Sequence, residues 1–202
     1  MPLISVDNVA LGVSLGLWKI EDSVEAFFLE NPDLYFLKSE TGKFTSVKRR
    51  LEVLSVRALL CRMVGNHVVL THSESGCPHL SDGTHVGISH TKGCASVIVS
   101  RDKRVSVDIE YISKRVERVA DRLLRSDENT NSPFEILLHW CAKETLYKLY
   151  SADRLALMEM RLLSVKGNDT SGTIVAENIR RSETVTVNYC VSNGYVITYS
   201  VV

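Results

Sequence analysis

The stretch Val105-Ser106-Val107-Asp108-Ile109-Glu110 decides how this chain is interpreted. Apolar residues alternate in it with Ser106, Asp108 and Glu110, which is the period-two pattern of a half-buried β-strand. Side chains two residues apart leave a strand on the same face, so both carboxylates are expected on one side of a sheet, roughly 7 Å apart. A strand with a merely solvated polar face has the same pattern, so the spacing alone does not assign a site.

A second segment, Trp140-Cys141-Ala142-Lys143-Glu144-Thr145-Leu146-Tyr147-Lys148, continues an apolar run and consists of helix-forming residues. On a helix, Trp140, Glu144 and Lys148 lie along one stripe. If that stripe faces the polar side of the strand, Glu144 converges with the two strand carboxylates. The alternative is an exposed ladder of ion pairs between Lys143, Glu144 and Lys148, which would have little energetic value.

Three carboxylates that lie close together repel one another unless a divalent cation lies between them. Ligation by oxygen alone suits Mg²⁺, which keeps several waters and usually completes its shell with substrate phosphates. Carboxylates do not by themselves distinguish Mg²⁺ from Mn²⁺. The hypothesis is therefore a metal site formed by Asp108, Glu110 and Glu144, at a place where a phosphate-containing substrate binds.

Composition excludes several classes of function. The 202 residues suffice for one domain or two small ones, and 45% hydrophobic content is enough for a core. A formal net charge of zero, from 24 basic and 24 acidic residues, argues against a bulk nucleic-acid binder. Five scattered cysteines without CxxC spacing favour free thiols in a reducing cytoplasm over a zinc site. No secretory leader and no apolar stretch of membrane-spanning length is apparent, so we expect a cytoplasmic protein without a membrane partner.

The chain in order predicts two successive groups of strands and helices. The first group has a strand over 9–18, a short helix opening at Glu21-Asp22-Ser23, a long helix over 43–64, a strand over 68–71, a loop over 73–83, and strands over 86–91 and 94–99. The second has the Asp108 strand, a helix over 115–125, a helix from Ser132-Pro133 to Tyr150, and strands over 158–165, 172–176, 184–189 and 195–202. Asn193-Gly194 predicts a hairpin turn between the last two strands.

This repeated order predicts an α+β protein built from two similar α/β subdomains, as in a duplicated fold. The boundaries are 1–104 and 105–202, and a ligand cleft is expected between the two, since ligand sites favour such interfaces.

Two further groups of residues are candidates for the cleft wall. Lys48, Arg49, Arg50 and Arg57 of the long helix form either a solvated face or one wall of a pocket for an anionic ligand. The pair Ser89-His90 lies at a strand end. Adjacent strand residues point to opposite faces, which excludes a serine–base pair there without a bulge. Hydrogen bonding to phosphate is the better functional interpretation, and a structural turn histidine is the alternative.

Together these segments resemble the 4'-phosphopantetheinyl transferase superfamily, specifically its larger, two-subdomain (Sfp-like) type. The family's strand signature, (I/V)-G-(I/V)-D-x-E, corresponds to 105–110, and its helix signature, W-(S/C/T)-x-K-E-(A/S)-x-x-K, corresponds to 140–148. Weaker similarities are Ser89-His90, Val56-Arg57 and the loop Gly76-Cys77-Pro78. The resemblance covers roughly 43–150 by motif and the whole chain by element order.

The resemblance implies a two-subdomain 4'-phosphopantetheinyl transferase fold that acts as a monomer and binds coenzyme A between its halves. It implies a holo-[carrier protein] synthase activity: the phosphopantetheine arm of coenzyme A moves onto a serine of an apo acyl or peptidyl carrier protein. The serine hydroxyl attacks the β-phosphorus and 3',5'-ADP leaves. Such carrier proteins serve fatty acid or secondary metabolite biosynthesis.

The resemblance also implies roles for individual residues. Asp108, Glu110 and Glu144 would hold Mg²⁺ against the pyrophosphate, and Glu144, or a water near it, would take the serine proton. Lys148 and Lys143 would offset charge on the transferring group; the alternative role for one of them is to hold the carboxylates in place. Contacts to coenzyme A would come from Ser89, His90, Lys48, Arg49 and Asp108.

The chain departs from the family pattern at two positions. The loop is usually G-K-P, and its lysine reaches a phosphate, whereas Cys77 supplies no positive charge here. Ser106 replaces a glycine of the strand signature and adds a Cβ close to the ligand. These departures motivate a second hypothesis, a catalytically impaired relative that binds coenzyme A or a carrier protein without transfer. A third is an unrelated Mg²⁺-dependent phosphate-ester hydrolase, which would have no use for the Trp140 helix.

Overall fold

The structure, a computed structural model, describes residues 2–21 and 23–202 of the chain. The first part of the chain contains six strands and three helices: β1 Leu3–Ala10, β2 Val13–Lys19, α1 Val24–Glu30, α2 Leu37–Thr41, α3 Val47–Val64, β3 Leu70–His72, β4 Pro78–Leu80, β5 His85–Thr91 and β6 Cys94–Ser100. The second contains β7 Val105–Tyr111, α4 Ala120–Leu123, α5 Pro133–Leu149, β8 Met160–Gly167, β9 Ser171–Asn178, β10 Glu183–Ser192 and β11 Tyr195–Val201. Short 3₁₀ helices occupy Pro32–Leu34, Lys114–Val119, Ser151–Asp153 and Leu157–Glu159.

These strands form a mixed α/β structure with three sheets, which is compatible with the expected fold. A four-stranded sheet has the order β1-β2-β6-β5, a five-stranded sheet has the order β7-β11-β10-β9-β8, and β3 pairs with β4. All strands of the four-stranded sheet precede residue 104 and all strands of the five-stranded sheet follow it.

Three hydrophobic clusters hold the sheets and helices together. One cluster packs α1, α2 and α3 on the four-stranded sheet, with Phe27 and Leu59 fully buried. A second packs α5 on the five-stranded sheet around Leu146 and Ile174. The third lies between the two sheets, where Val13, Leu15 and Leu17 of β2 meet Val105, Val107 and Ile109 of β7. The alternation seen in the sequence at 105–110 therefore buries its apolar face against the other sheet.

Several predicted elements are confirmed by the structure. The strand over 105–111, the helix capped by Ser132 with Pro133 in its first turn, and the helix ended by Gly65 are all present. The last two strands are joined by Asn193 and Gly194, both at positive φ, as the sequence predicts for a tight hairpin. The short helix begins at Val24 with Ser23 as its N-cap; Asp22 of its predicted start lies outside the described residues.

Other predictions were wrong in detail. The strand over 9–18 is two strands, because Gly12 adopts φ +70° in a hairpin turn between β1 and β2. The loop over 73–83 contains β4, which pairs with β3. The helix predicted over 115–125 is a 3₁₀ helix followed by the four-residue α4. The apolar residues Val116 and Leu123 are buried, but they do not belong to one continuous α-helix. The long helix starts at Val47, where the Ser46 hydroxyl accepts a hydrogen bond from the Arg49 N–H.

Candidate active site

A cleft of about 750 Å³ is bordered by elements of both halves of the chain. Its walls come from α3, the β3–β4 hairpin, β5, the start of β7 and the second half of α5. Of the residues that the sequence predicted for the site, Arg49, Ser89, His90, Asp108, Glu110, Glu144 and Lys148 line this cleft. The stripe of α5 that carries Glu144 and Lys148 thus faces the polar side of β7, which is the arrangement that the hypothesis of a shared site requires.

Strands β5 and β7 lie side by side beneath the cleft and are joined by side chains. The Ser89 hydroxyl donates to Asp108 Oδ1 at 2.8 Å, and the Thr91 hydroxyl donates to Glu110 Oε2 at 3.0 Å. Both pairs have the same separation along the chain, so the two strands run parallel here. The first half of the chain therefore supplies one hydrogen-bond donor for each carboxylate of the strand signature.

Asp108 is buried and only one of its two oxygens has a partner. Oδ1 accepts from Ser89 and from the Lys148 ammonium at 2.7 Å, whereas Oδ2 is buried without a hydrogen bond within the described residues. The same ammonium donates to Ser89 Oγ at 2.9 Å and to the Val107 carbonyl at 3.1 Å. Lys148 thus joins β5 and β7 and offsets the charge of Asp108.

Glu110 is held by both halves of the protein. The indole N–H of Trp140 donates to its Oε1 at 3.2 Å, and Thr91 occupies Oε2. Burial raises the pKa of Glu110, and the nearby Asp108 carboxylate raises it further. The tryptophan of the helix signature therefore orients a carboxylate that lies on the strand signature.

Glu144 completes the group of three carboxylates. Burial is the largest cause that raises the pKa of Glu144, and the charge of Asp108 raises it further. The Lys148 ammonium opposes this change, and Glu110 makes a smaller contribution that raises the pKa. Within the described residues no hydrogen bond or ion pair engages this carboxylate. It therefore lines the cleft as a desolvated acid, and its burial and its acidic neighbours disfavour its charged form.

Ser89 and His90 have different neighbours, as expected for adjacent residues of a strand. Ser89 faces Asp108, while His90 Nε2 lies 3.0 Å from Arg49 Nη1 of α3. A guanidinium only donates, so Nε2 is the acceptor and His90 is the neutral Nδ1–H tautomer. Burial lowers the pKa of His90, against the opposing effect of Glu52, whose Oε2 lies 3.8 Å from Nδ1. The pair is not a serine–base pair.

Lys48 and Arg49 occupy different environments. Arg49 lines the cleft and also contacts Glu52 Oε2 at 3.3 Å. The Lys48 side chain is 79% exposed, lies 3.8 Å from Glu52 Oε1 and does not line the cleft. Only Arg49 is placed to act on a ligand there.

Lys143 is not in the cleft. Its ammonium is completely buried on the other side of α5, where it donates to Glu128 Oε2 and to the Leu123 carbonyl, both at 2.7 Å. Glu128 also accepts from the backbone N–H groups of Arg125 and Leu162, and His139 Nδ1 lies 3.6 Å from it. The prediction that Lys143 acts directly on the transferring group therefore has no geometric support.

The Lys143–Glu128 pair stays ionised against the effect of burial. Burial alone would raise the pKa of Glu128, but His139, the Lys143 ammonium and the backbone donors together lower it to about 2. Burial also lowers the pKa of Lys143, and its hydrogen bond to Glu128 opposes that change. Because α5 carries both Lys143 and Glu144, this pair fixes the helix that positions the cleft carboxylate.

The carboxylates fit a hard divalent cation in their chemistry. The donors are all oxygens, and Asp108 Oδ2 is buried without a hydrogen bond among the described residues. Burial and the charge of Asp108 raise the pKa values of Glu110 and Glu144, and the Lys148 ammonium only partly opposes this effect. Among the residues described, no group of three or more Asp, Glu, His or Cys side chains is placed so that it could hold a metal ion as it stands, so the three carboxylates would have to move closer together to bind one.

The two departures from the family pattern also lie at the cleft. Cys77, half-exposed, lines it from the loop that joins β3 and β4, where its N–H donates to Ser73 Oγ. Ser106 lines the base of the cleft, and its hydroxyl is buried without a hydrogen bond within the described part of the chain.

Sequence reasoning missed several residues that build the site. Gly87 allows β5 to approach β7, Thr91 orients Glu110, and His72 and His79 line the cleft from β3 and β4. The glycine two positions before Ser89 was a usable signal, since a glycine inside a strand pattern marks close backbone approach. The two histidines gave no such signal, because only pairing of the hairpin brings them to the cleft.

No helix within the described residues has the length and apolar character needed to cross a membrane.

Comparisons with known proteins agree with the strand and helix signatures. A search of curated proteins finds no match to the chain. Residues 104–200, which contain β7, α5 and the three carboxylates, match the sequence profile of the 4'-phosphopantetheinyl transferase superfamily. This part of the chain is thus similar to that superfamily, and the match supports phosphopantetheine transfer in general terms.

Proposed function

We propose that this protein transfers the 4'-phosphopantetheine group of coenzyme A to a serine of an apo acyl or peptidyl carrier protein and releases 3',5'-ADP. One observation carries the proposal. Asp108, Glu110 and Glu144 line the same cleft as Lys148, this cleft is bordered by both halves of the chain, and one buried oxygen of Asp108 has no hydrogen-bond partner in the described part of the chain.

Asp108, Glu110 and Glu144 would hold Mg²⁺ or Mn²⁺. A divalent cation held there would supply positive charge that offsets the negative charge of the pyrophosphate and of the leaving group. Trp140 and Thr91 hold Glu110 in orientation, and Ser89 holds Asp108. These partners reduce the rearrangement that the carboxylates need on binding.

The chain's own residues would position the reactants and move one proton. The carrier serine oxygen forms a bond to the β-phosphorus of coenzyme A, and the bond from that phosphorus to the 3',5'-ADP oxygen breaks. The serine proton goes to the Glu144 carboxylate or to a water beside it. A desolvated carboxylate with a raised pKa is a better base, once ionised, than an exposed one. Lys148 neutralises Asp108 and aligns the two strands, which agrees with a role in holding the carboxylates.

The test is mass spectrometry of an apo acyl carrier protein after incubation with this protein, coenzyme A and Mg²⁺. We expect a mass gain equal to one phosphopantetheine group, together with 3',5'-ADP, and both should be lost when the metal is chelated. Glu144→Ala should abolish the gain. Glu25→Gln, which alters an exposed acid on α1 away from the cleft, is the matched control. Absence of any gain across several acyl and peptidyl carrier proteins would overturn the proposal.

A second candidate function rests on Cys77, which leaves the β3–β4 loop without a cation at the cleft. In that case the protein binds coenzyme A or a carrier protein without transfer. Cys77→Lys separates the two candidates: a gain that appears only with this variant would identify an otherwise intact site disabled by the missing charge.

We also propose the finer features that the resemblance implies. These are the two-subdomain (Sfp-like) type, a subdomain boundary at 104/105, a duplicated origin of the two halves, action as a monomer and a cytoplasmic location. The sheets on either side of residue 104 support the boundary, since each carries its own long helix, α3 or α5. Light scattering of the purified protein gives its molar mass in solution and so tests whether it is a monomer.

A further inference from the structure

One turn of α5 is bonded to β11 through buried hydroxyl groups that the proposed reaction does not use. Thr198 of β11 donates from Oγ1 to the Cys141 carbonyl at 3.0 Å, and the hydroxyls of Thr145 and Thr198 lie 2.7 Å apart. A threonine hydroxyl carries one proton, so in the second bond Thr198 accepts from Thr145. The Thr145 hydroxyl also lies 3.4 Å from the Thr198 carbonyl. All three residues are completely buried, and the bonds attach the turn 141–145 to one residue of the sheet.

This turn carries one cleft carboxylate, and the sheet residue to which it is bonded lies beside another. Glu144 directly precedes Thr145 in α5. Thr198 is paired with Asp108 across β11 and β7, and directly paired residues of antiparallel strands lie on one face of a sheet with Cβ atoms about 4.5–5.5 Å apart. The threonine pair therefore joins the backbone next to Glu144 to the backbone next to Asp108.

The remaining contacts of α5 fix this separation less sharply. The helix packs on the sheet in an apolar cluster that includes Leu146 and Val196, and hydrophobic contact is non-directional. Lys148 also joins α5 to β7, but its ammonium donates to Asp108 and so competes with a cation for that carboxylate. The two threonine hydroxyls are uncharged and removed from solvent, so cation binding does not have to break their bond.

We propose that Thr145 and Thr198 are positioning residues for the divalent cation of the transfer site. The inference rests on the proposed function. The threonine pair fixes the backbone separation of Glu144 and Asp108, so that the carboxylates close on a cation by rotation of their side chains and without a shift of the helix. Without the pair, this turn of α5 has several positions on the sheet, and cation binding must select one of them, which weakens it. Loss of a hydrogen bond that orients metal ligands typically lowers affinity about 10- to 100-fold, and because this pair acts through the backbone we expect about tenfold.

Binding of Mn²⁺ to the full chain, followed by the electron paramagnetic resonance signal of free Mn²⁺, measures the effect independently of transfer. Thr145→Val/Thr198→Val keeps the shape of both side chains and removes donor and acceptor together, so it should retain nearly the stability of the wild type in urea denaturation. We expect its Kd for Mn²⁺ to rise about tenfold. The Mg²⁺ concentration that gives half-maximal transfer should rise by the same factor.

Two further variants separate positioning from stability. Thr145→Ser/Thr198→Ser keeps both hydroxyls but removes two buried methyl groups, so it should be less stable than the wild type and bind Mn²⁺ with nearly unchanged affinity. Thr41→Val is the matched control, because it removes an equally buried hydroxyl that donates to the Leu37 carbonyl in α2, away from the cleft. It should also leave the affinity for Mn²⁺ unchanged.

The outcomes distinguish this inference from the proposed function. An unchanged or lower Kd in the valine double variant, or an equal rise in the valine and serine double variants, would overturn the positioning role. Thr198→Val alone removes both bonds of its hydroxyl and takes the place of the valine double variant if that protein does not fold. A wild type that binds Mn²⁺ but transfers no phosphopantetheine would overturn the proposed function and leave the positioning role standing. A wild type that binds no Mn²⁺ would overturn both.

Discussion

A Cβ atom placed on Gly87 would lie 3.0 Å from the Cα of Ser106, so β5 and β7 approach each other as closely as a glycine allows. That approach brings Ser89 within 2.8 Å of Asp108 and Thr91 within 3.0 Å of Glu110. The orientation of both strand carboxylates thus depends on a residue that carries no functional group.

Gly87→Ala should therefore weaken both stability and transfer. The added methyl would also lie 2.8 Å from Ile98 Cγ2 and 3.1 Å from the Val107 nitrogen, so the strands must separate. Overpacking of this kind costs about 1–3 kcal/mol of unfolding free energy, measurable by urea denaturation. Ser106→Ala is the control, because it removes a buried hydroxyl that has no partner in the described part of the chain and should be neutral or stabilising. Unchanged stability and transfer in Gly87→Ala would contradict the role given to this contact.

Lys148→Met should abolish most of the transfer. The substitution leaves Asp108, Ser89 and the Val107 carbonyl without their shared ammonium donor. We expect transfer to fall by about 10²-fold or more, since one preorganised polar contact at a reacting centre has that effect. Lys48→Met, at an exposed lysine outside the cleft, is the control. Equal activity of the two variants in the mass-spectrometric assay would remove Lys148 from the site.

Trp140→Phe should weaken metal binding while keeping the helix packed. The phenyl ring retains most of the apolar contact but lacks the N–H that donates to Glu110 Oε1 at 3.2 Å. Loss of a partner that orients a ligand typically lowers metal affinity about 10- to 100-fold. The concentration of Mg²⁺ that gives half-maximal transfer measures this change. Trp18→Phe, in the core of the first half, should lower stability without moving that concentration.

The buried pair of Lys143 and Glu128 should show strong coupling in a double-mutant cycle. Lys143→Met or Glu128→Met alone leaves one buried charge uncompensated, which typically costs about 3–5 kcal/mol. The double variant should lose much less than the sum of the two, as measured by urea denaturation. Additive losses would mean that the two charges are not partners in solution.

The same pair predicts a specific sensitivity to acid. The pKa of Glu128 is lowered from an ordinary value of 4.5 to about 2, so its stabilising contribution is complete above pH 4.5 and is lost as pH falls towards 2. The loss is on the order of 3 kcal/mol. The unfolding free energy of the wild type should therefore fall more steeply than that of Glu128→Gln between pH 5 and pH 3. Parallel pH profiles of the two proteins would contradict the low pKa.

The sequence by itself determined the elements that follow from local periodicity and capping. Alternation at 105–110 specified β7 and the shared face of its carboxylates, and Ser132-Pro133 specified the start of α5. The stripe of Trp140, Glu144 and Lys148 indicated which side of the helix would meet the strand if the two segments packed together. These features depend on residues that are close together in the sequence, so they can be predicted from the sequence without the structure.

Only the tertiary structure decided which residues act together across the chain. Lys143 and Lys148 are the same type of residue on the same helix. Lys143 is buried against Glu128, whereas Lys148 joins Ser89 to Asp108. The difference arises because helical positions five apart point in widely different directions, so the two ammonium groups enter different environments. His72 and His79 reached the cleft only through pairing of the β3–β4 hairpin. Long-range packing, which local sequence patterns do not encode, made these assignments.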